Sequence, residues 1–127
     1  MNIQQVAEKL SISTDTIRRW ERLGMIPPIT RDRDGLRTFT DTDIRWVEYA
    51  KLLNMMNVSP DFQIEYVKLA MLGKEAIPAR QSLLQEQLNQ LKEDHQCLTD
   101  CINEMEKIVE KEEIAWGARI KEGTGGM

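Results

Sequence analysis

The 127-residue sequence is poor in the residue types on which catalysis, metal binding and disulfide frameworks depend. It has one histidine, two cysteines and an aromatic content of 6%. One histidine beside acidic residues supplies no convergent acid, base and nucleophile. The two cysteines, Cys97 and Cys101, lie one helical turn apart, which is not a disulfide framework. We therefore predict that the protein is not an enzyme and has neither a metal site nor a cofactor.

Long apolar runs are also missing. No stretch approaches the roughly 20 apolar residues that a membrane span needs, and the N-terminus has no basic region followed by an apolar one. We therefore expect a cytoplasmic protein without a membrane partner.

The charge is small overall but unevenly distributed. The net charge is −4, which by itself argues against a nucleic-acid partner. However, seven of the nine arginines lie between Arg18 and Arg45, whereas residues 76–122 carry ten acidic and six basic side chains. A basic front part can bind an anionic partner even when the whole chain is acidic.

The first 24 residues predict two short helices. Asn2 is a suitable N-cap for an amphipathic helix over residues 3–10. Residues 11–13 interrupt it, and a second cap at Ser13 or Thr14 begins a helix that runs to Leu23. Gly24 suits the left-handed position after a helix, and two prolines at 27 and 28 prevent its continuation. This pattern is typical of a helix-turn-helix.

The segment from Thr30 to Phe39 predicts a hairpin. Asp34-Gly35 is a strong tight-turn signal, and the residues after it suit a returning strand. We therefore expect a two-stranded wing whose arginines lie at or near its tip, within reach of phosphates or a minor groove. The arginines of the second helix could instead form an ordinary solvated face, but their continuation into the wing favours DNA.

Two further helices are expected after the wing. The first is capped by Thr40 and runs to about Met56. The second begins at Pro60 with Ser59 as its cap and runs to about Leu72, burying Phe62 or Ile64, Val67 and Met71. Aromatic and sulfur-containing residues are concentrated in the first of them. They suit either helix packing or a small apolar effector pocket, and the residues predicted for such a pocket are Trp46, Tyr49, Leu52 and Met55.

From Pro78 to about Glu113 the sequence has neither proline nor glycine. Residues at alternating steps of four and three form a heptad seam, which predicts a coiled coil. The seam consists of Leu84, Leu88, Leu91, His95, Leu98, Ile102, Met105 and Val109. A helix of about 35 residues would be about 52 Å long, too long to cover its seam on a small domain. The simplest partner is a second copy of the same helix.

Two features of this helix have more than one interpretation. His95 lies in the seam, where it could set the register, act as a protonation switch or bind a metal; we favour the first. Cys97 and Cys101 could be redox sensors, but acidic neighbours disfavour the thiolate that such chemistry requires. Ordinary thiols are therefore the favoured interpretation.

Several motifs in the first seventy residues resemble those of the MerR family of bacterial transcriptional regulators. They are Thr16-Ile-Arg-Arg-Trp-Glu21, Gly24-Met-Ile-Pro-Pro28, Gly35-Leu-Arg-Thr-Phe39 and Asp43-Ile44, in the family's order and spacing. Two positions depart from the family pattern: Arg19 and Leu36 stand where the family usually has aromatic residues. The chain is similar to the short form without a large C-terminal effector domain. It is nearest to the branch that includes aldehyde-responsive regulators, although Leu52 replaces the cysteine that some of those carry.

The resemblance implies how such a protein would work. The family dimerises through an antiparallel coiled coil of the last long helix, and the operator lies in a promoter spacer slightly too long for RNA polymerase. Each extra base pair rotates the two promoter elements by about 34°, and the dimer corrects this by kinking and untwisting the DNA. The residues predicted to contact DNA are Thr16, Arg18, Arg19 and Trp20 on the second helix and Arg31, Arg33 and Arg37 on the wing. For Trp20 a position in the core is the alternative.

The sequence thus predicts a mainly α protein with three parts. Residues 1–75 form a winged helix-turn-helix domain with a small β-hairpin wing, residues 76–116 a long dimerisation helix, and residues 117–127 a flexible tail. The expected function is sequence-specific promoter binding as a homodimer, with regulation by a small-molecule effector or another signal. A coiled-coil adaptor without specific DNA binding is the alternative.

Overall fold

A computed structural model describes residues 1–111, which form five α-helices in chain order. These are α1 (Ile3–Leu10), α2 (Thr14–Leu23), α3 (Asp41–Met55), α4 (Pro60–Met71) and α5 (Ile77–Lys111), with a short 3-10 helix at Lys74–Ala76. The predicted fold class, mainly α with a long C-terminal helix, is confirmed. The chain divides into two compact units, of which the first is Met1–Gln87 and the second begins at Leu88. The predicted tail, and residues 112–116 of the predicted dimerisation helix, lie outside the described residues.

The first two helices are fixed by local caps. The Asn2 side chain accepts a hydrogen bond from the Gln5 amide at 2.9 Å, and the Gln5 side chain accepts one from the Asn2 amide at 2.9 Å. The Ser13 hydroxyl accepts from the Thr16 amide at 3.0 Å. Gly24 ends α2 with φ +81°, in the left-handed region that favours glycine. The predicted helix-turn-helix is thereby confirmed in its caps and its bounds.

The core of the first unit lies between α1, α2 and α3. Ile17 and Trp20 of α2 belong to one cluster of buried side chains, together with residues from both neighbouring helices and from the segments around the wing. The other buried members are Val6, Ala7, Met25, Ile26, Ile29, Phe39, Ile44, Val47 and Ala50. The Lys51 ammonium also donates to the Leu10 carbonyl at the end of α1, where a cation is favoured. These contacts hold α2 with its apolar side inward and its charged side in solvent.

The wing is a hairpin with little regular pairing. Arg31 and Arg37 form an antiparallel bridge, which is the one isolated β-bridge found within residues 1–111. The Thr38 amide donates to the Thr30 carbonyl at 2.8 Å on the side nearer the domain. The predicted two-stranded wing is therefore a hairpin joined by a single bridge pair, without extended strands.

The wing tip is organised by one aspartate. One oxygen of Asp32 accepts hydrogen bonds from the amides of Asp34, at 2.9 Å, and of Leu36, at 3.0 Å. The Asp32 amide donates to the Leu36 carbonyl at 2.9 Å, and Gly35 has φ +78°. The tight turn predicted at Asp34-Gly35 is confirmed, and the Asp32 side chain supplies the hydrogen bonds that the short hairpin lacks.

The α4 helix begins as predicted, at Pro60, with Ser59 as its cap. Phe62 and Val67 are buried, as expected. Met71 was predicted to be buried with them, but it is the last residue of α4 and is 62% exposed. The helical period alone did not show that the core ends one turn earlier.

No residue of α5 is buried in the described chain. The helix begins at Ile77, one residue before the predicted Pro78. None of the helices within residues 1–111 is both long and apolar enough to cross a membrane.

Asp43 joins the wing to α3. Its carboxylate accepts hydrogen bonds from the amides of Thr40, at 3.0 Å, and of Thr30, at 3.3 Å, although the residue is only 8% exposed. Burial alone would raise the pKa of this carboxyl group. The hydrogen bonds from Thr40 and Thr30 outweigh burial and hold the pKa below its ordinary value of 3.8. The charged form of Asp43 therefore stabilises the fold.

We expect Asp43→Asn to lower the free energy of unfolding at pH 7 by about 1–3 kcal/mol, because two amides lose a charged acceptor. Because the folded-state pKa of Asp43 lies below the ordinary value of 3.8, the charged carboxylate stabilises the fold fully at pH values above 3.8. This stabilisation is lost as the pH falls through the folded-state pKa. The difference between variant and wild type should therefore shrink between pH 7 and pH 3. Urea unfolding of variant and wild type at fixed protein concentration, at pH 7 and at pH 3, measures this difference in unfolding free energy at both pH values.

Asp41→Asn is the matched control, because Asp41 lies in the same first turn of α3 but is exposed. It should change stability by only a few tenths of a kcal/mol, up to about 1, through the helix dipole. Equal effects of the two substitutions at pH 7 would contradict the role assigned to Asp43.

Candidate nucleic-acid interface

The exposed side of α2 carries three arginines. Arg18, Arg19 and Arg22 are exposed, whereas Ile17 and Trp20 are buried on the other side of the helix. Arg18 is partly occupied within its own helix, because its guanidinium lies 3.2 Å from the carboxylate of Asp15. Arg19 and Arg22 have no ion pair within residues 1–111. They are free to meet an anionic partner.

Two residues predicted for DNA contact are placed differently. Trp20 is 5% exposed and belongs to the core cluster, so its ring cannot meet a ligand in this structure. This corrects the prediction, and its reason is that Trp20 lies one turn from Ile17 on the apolar side of α2. Thr16 is half-buried, and its hydroxyl lies 2.7 Å from the Ser13 hydroxyl in the helix cap. Thr16 therefore helps to begin the helix.

Glu21 links α2 to the wing, and sequence reasoning missed this role. One carboxylate oxygen lies 2.9 Å from Nε of Arg37 and 3.5 Å from Nη2 of Arg31. The other oxygen accepts a hydrogen bond from the Ile29 amide at 2.6 Å. The Glu21 side chain is only 11% exposed, so these interactions are only weakly screened by solvent. The available signal was that Glu21, alone of the three acidic residues between positions 18 and 37, directly follows an apolar residue, Trp20.

The wing arginines consequently have two different environments. Arg37, whose side chain is 24% exposed, and Arg31, at 46%, both point their charge toward Glu21. Arg31 also donates to the Gly35 carbonyl at 3.2 Å. Arg33, at the tip, is exposed and has no ion pair in the described part of the chain. Arg31 and Arg37 hold the wing in place, while Arg33 extends from it.

The four residues predicted for an effector pocket do not form an enclosed cavity. Tyr49 and Leu52 line an open depression of about 400 Å³ with Arg45 and Glu48, all on α3. Met55 does not line this depression and is 72% exposed. Trp46 does not line it either: its ring is half-buried and lies 6.2 Å from that of Tyr49 and 5.9 Å from that of Tyr66. The cluster is thus divided between aromatic packing and an apolar surface.

The cysteines of α5 are both exposed free thiols. The neighbouring Cys101 side chain, through its charge interaction and a hydrogen bond, raises the pKa of Cys97, and Asp100 and Asp94 add to the effect. A raised pKa lowers the fraction of reactive thiolate at neutral pH. This agrees with the interpretation of Cys97 as an ordinary thiol.

The fold and the charged surface together define a class of protein. A capped helix with free arginines, held beside a hairpin wing by Glu21, is a winged helix-turn-helix. Residues 1–61 match the model of the MerR HTH family of regulatory proteins, and the chain resembles members of this family.

Comparison with known proteins supports this assignment. The chain is 35% identical over 91 residues to the HTH-type transcriptional regulator AdhR of Bacillus subtilis (strain 168); the alignment covers 72% of this chain and 65% of that protein. It resembles the crystal structure of a MerR family transcriptional regulator from Listeria monocytogenes, with a TM-score of 0.84, 29% identity and coverage of 98% and 95%. It also resembles HiNmlR, a MerR family regulator lacking the sensor domain, with a TM-score of 0.79, 26% identity and coverage of 91% and 92%.

Proposed function

We propose that the protein is a cytoplasmic transcriptional regulator that binds promoter DNA in a sequence-specific manner as a homodimer. The observation that carries this proposal is the joint surface of α2 and the wing. Arg19, Arg22 and Arg33 supply uncommitted positive charge, and Glu21 fixes the wing beside the helix. Arginines on such a surface bind phosphates and orient a recognition helix in the major groove.

The homodimer is proposed from the seam of α5. Its seven apolar members are 38–63% exposed in the single chain, and His95 is also exposed. A helix of 35 residues with no buried side chain gains little from its own hydrogen bonds in water and needs a partner to stabilise it. Two copies also explain how one short recognition helix per chain reads an operator with two half-sites.

We further propose that the dimer deforms its operator and acts on RNA polymerase at the promoter. The crystal structure of HiNmlR contains promoter DNA. A kinked and untwisted operator would bring the two promoter elements into the alignment that the polymerase requires. The deformation energy makes binding sensitive to base steps that the protein does not contact.

Binding to the DNA upstream of the protein's own gene tests the proposal. We expect affinity measured by fluorescence anisotropy to fall steeply between 50 and 200 mM salt, because phosphate contacts release counterions. Arg19→Ala and Arg33→Ala should each weaken binding about uniformly across sequences. Each should also reduce the salt slope by about 2 per dimer, or about 1 per protomer.

Lys107→Ala is the control, because it removes an exposed cation from α5 outside both the proposed DNA surface and the seam. It should leave both the affinity and the salt slope unchanged. A stable dimer without salt-sensitive DNA binding would instead favour the coiled-coil adaptor.

A further inference from the structure

Leu36 is an apolar side chain at the tip of the wing, and most of its surface lies outside the fold. It is 64% exposed, whereas Ile29 and Phe39, the apolar residues at the two ends of the hairpin, are each 4% exposed and belong to the core cluster. Tight turns favour glycine, asparagine, aspartate and serine, so a leucine beside Gly35 is unusual. Single exposed leucines are nevertheless common on proteins, so the surroundings of Leu36 decide whether it has a role.

The backbone of Leu36 is held in a definite position. Its amide donates a hydrogen bond to the Asp32 carboxylate at 3.0 Å, and its carbonyl accepts one from the Asp32 amide at 2.9 Å. The next residue, Arg37, is joined to α2 through Glu21. Leu36 is therefore presented at a fixed place relative to α2, and a partner that covers it has little backbone to immobilise.

The tip of the wing is open to a partner and carries positive charge. Within residues 1–111, apart from the chain neighbours of Gly35, no heavy atom lies within 4 Å of the place that a Cβ atom would take on this glycine. Arg33, three residues before Leu36, is exposed and has no ion pair in that part of the chain. Over residues 30–39 three arginines outnumber two aspartates. A leucine among excess arginines suits an anionic partner that also has an apolar interior.

The minor groove of DNA has both properties. It is about 6 Å wide, too narrow for a helix but wide enough for side chains at the tip of a hairpin. Phosphates line its edges, and proteins that bind there combine cationic side chains with apolar ones, leucine among them, that wedge between base steps. With α2 in the major groove, as proposed above, the wing lies beside the helix and can reach the adjacent minor groove.

The balance of free energies adds a preference for certain sequences. Taking the exposed part of a leucine out of water is worth roughly five- to thirtyfold in an equilibrium constant. Parting two stacked base pairs opposes this gain, and the opposition is smallest at pyrimidine–purine steps, which kink most easily. The gain is therefore realised on duplexes that have such a step under the wing.

We propose that Leu36 enters the minor groove of the operator as an apolar wedge at a pyrimidine–purine step. This inference rests on the proposed function and assigns to it a residue that reads the deformability of the DNA. The arginines supply charge and position, whereas Leu36 supplies a local kink and a preference for the step that allows it.

Two substitutions at the same position test the wedge in the full-length chain. Leu36→Ser removes the apolar side chain, and Leu36→Met is the matched control that keeps one of similar volume. On the DNA upstream of the protein's own gene, Leu36→Ser should weaken binding by about tenfold or more, because two wings of a dimer lose apolar burial. Its salt slope should stay that of the wild type, because no phosphate contact is removed. Leu36→Met should bind within about twofold of the wild type.

The bend and the base step provide two further measurements. Energy transfer between dyes at the two ends of the operator, measured at saturating protein, should be lower for Leu36→Ser than for the wild type and Leu36→Met. Replacing each pyrimidine–purine step in turn by a purine–purine step should identify one step per half-site whose loss weakens the wild type by about threefold or more. Leu36→Ser should be insensitive to that same replacement.

The possible results separate the wedge from the function on which it rests. Thermal unfolding of the three proteins checks that the fold is kept, as expected for an exposed side chain whose hydrogen bonds come from its backbone. Equal affinity and equal energy transfer for Leu36→Ser and the wild type would overturn the wedge and leave DNA binding intact. The same holds if Leu36→Met loses as much affinity as Leu36→Ser, or if no base step distinguishes Leu36→Ser from the wild type. Absence of salt-sensitive binding by the wild type would overturn the proposed function and the wedge together.

Discussion

Ile102→Asp is expected to convert the protein into a monomer and to abolish tight operator binding. Ile102 is one of the apolar seam residues of the proposed homodimer, and symmetry buries the new carboxylate twice. An unpaired buried charge costs about 3 kcal/mol or more, so two raise the dimer dissociation constant by roughly four powers of ten. Operator affinity then falls as well, because the second recognition helix is no longer tethered to the first. Sedimentation velocity over a concentration series, with DNA titrations of the same samples, measures both effects.

Asn103→Asp is the matched control for this substitution. Residue 103 is the next in the sequence, is exposed, and lies outside the seam and its flanking positions. The new side chain and the added charge are the same, yet dimerisation and DNA affinity should remain close to those of the wild type. A dimer of Ile102→Asp as tight as that of Asn103→Asp would show that α5 pairs through another face or not at all.

Glu21→Gln is expected to lower the preference for the operator over unrelated DNA by about tenfold or more. The substitution removes the ion pairs to Arg37 and Arg31, so the wing loses its link to α2. Hydrogen bonds to charged groups contribute about 1.5–3 kcal/mol each, and about 1.4 kcal/mol is a factor of ten. The same change releases two arginines and removes a negative charge, which strengthens binding to any duplex. Specific binding should therefore weaken while non-specific binding strengthens.

Asp15→Asn separates these two effects. It removes the same charge from the same helix, but the Asp15 side chain is 94% exposed and its one ion pair within residues 1–111 is with Arg18. It should strengthen binding to both duplexes to a similar extent and leave their ratio unchanged. Titrations on the operator and on a shuffled duplex of equal length, at two salt concentrations, give this ratio. If Glu21→Gln behaves like Asp15→Asn, the wing does not depend on Glu21 for its position.

The arginine surface could be predicted only in part from the sequence. The positions of Arg18, Arg19 and Arg33 follow from helical period and from the turn at Asp34-Gly35. Whether each charge is free depends on contacts between distant residues: Glu21 and Arg37 are 16 positions apart and belong to different elements. The same limit explains why Trp20 was predicted to contact DNA although it is buried. An amphipathic period shows that a helix has an apolar side and a polar side, but it does not show how much of each side the core covers.

What the sequence by itself determined is the set of local elements. Asn2, Ser13, Thr40 and Ser59 begin helices through hydrogen bonds to residues three positions away, and Gly24 ends one through its own backbone freedom. The heptad seam is likewise a property of one helix. These signals act over a single turn, so they can be recognised without knowledge of the fold.

The tertiary structure decided which side chains are committed to the fold and which remain for a partner. It placed Trp20 in the core, tied Arg31 and Arg37 to Glu21, and joined the wing to α3 through Asp43. Each of these depends on segments that meet only after the chain has folded, where burial strengthens a few hydrogen bonds and ion pairs relative to water. The arginines that remain uncommitted are therefore a property of the packed molecule, although the residues themselves were visible from the start.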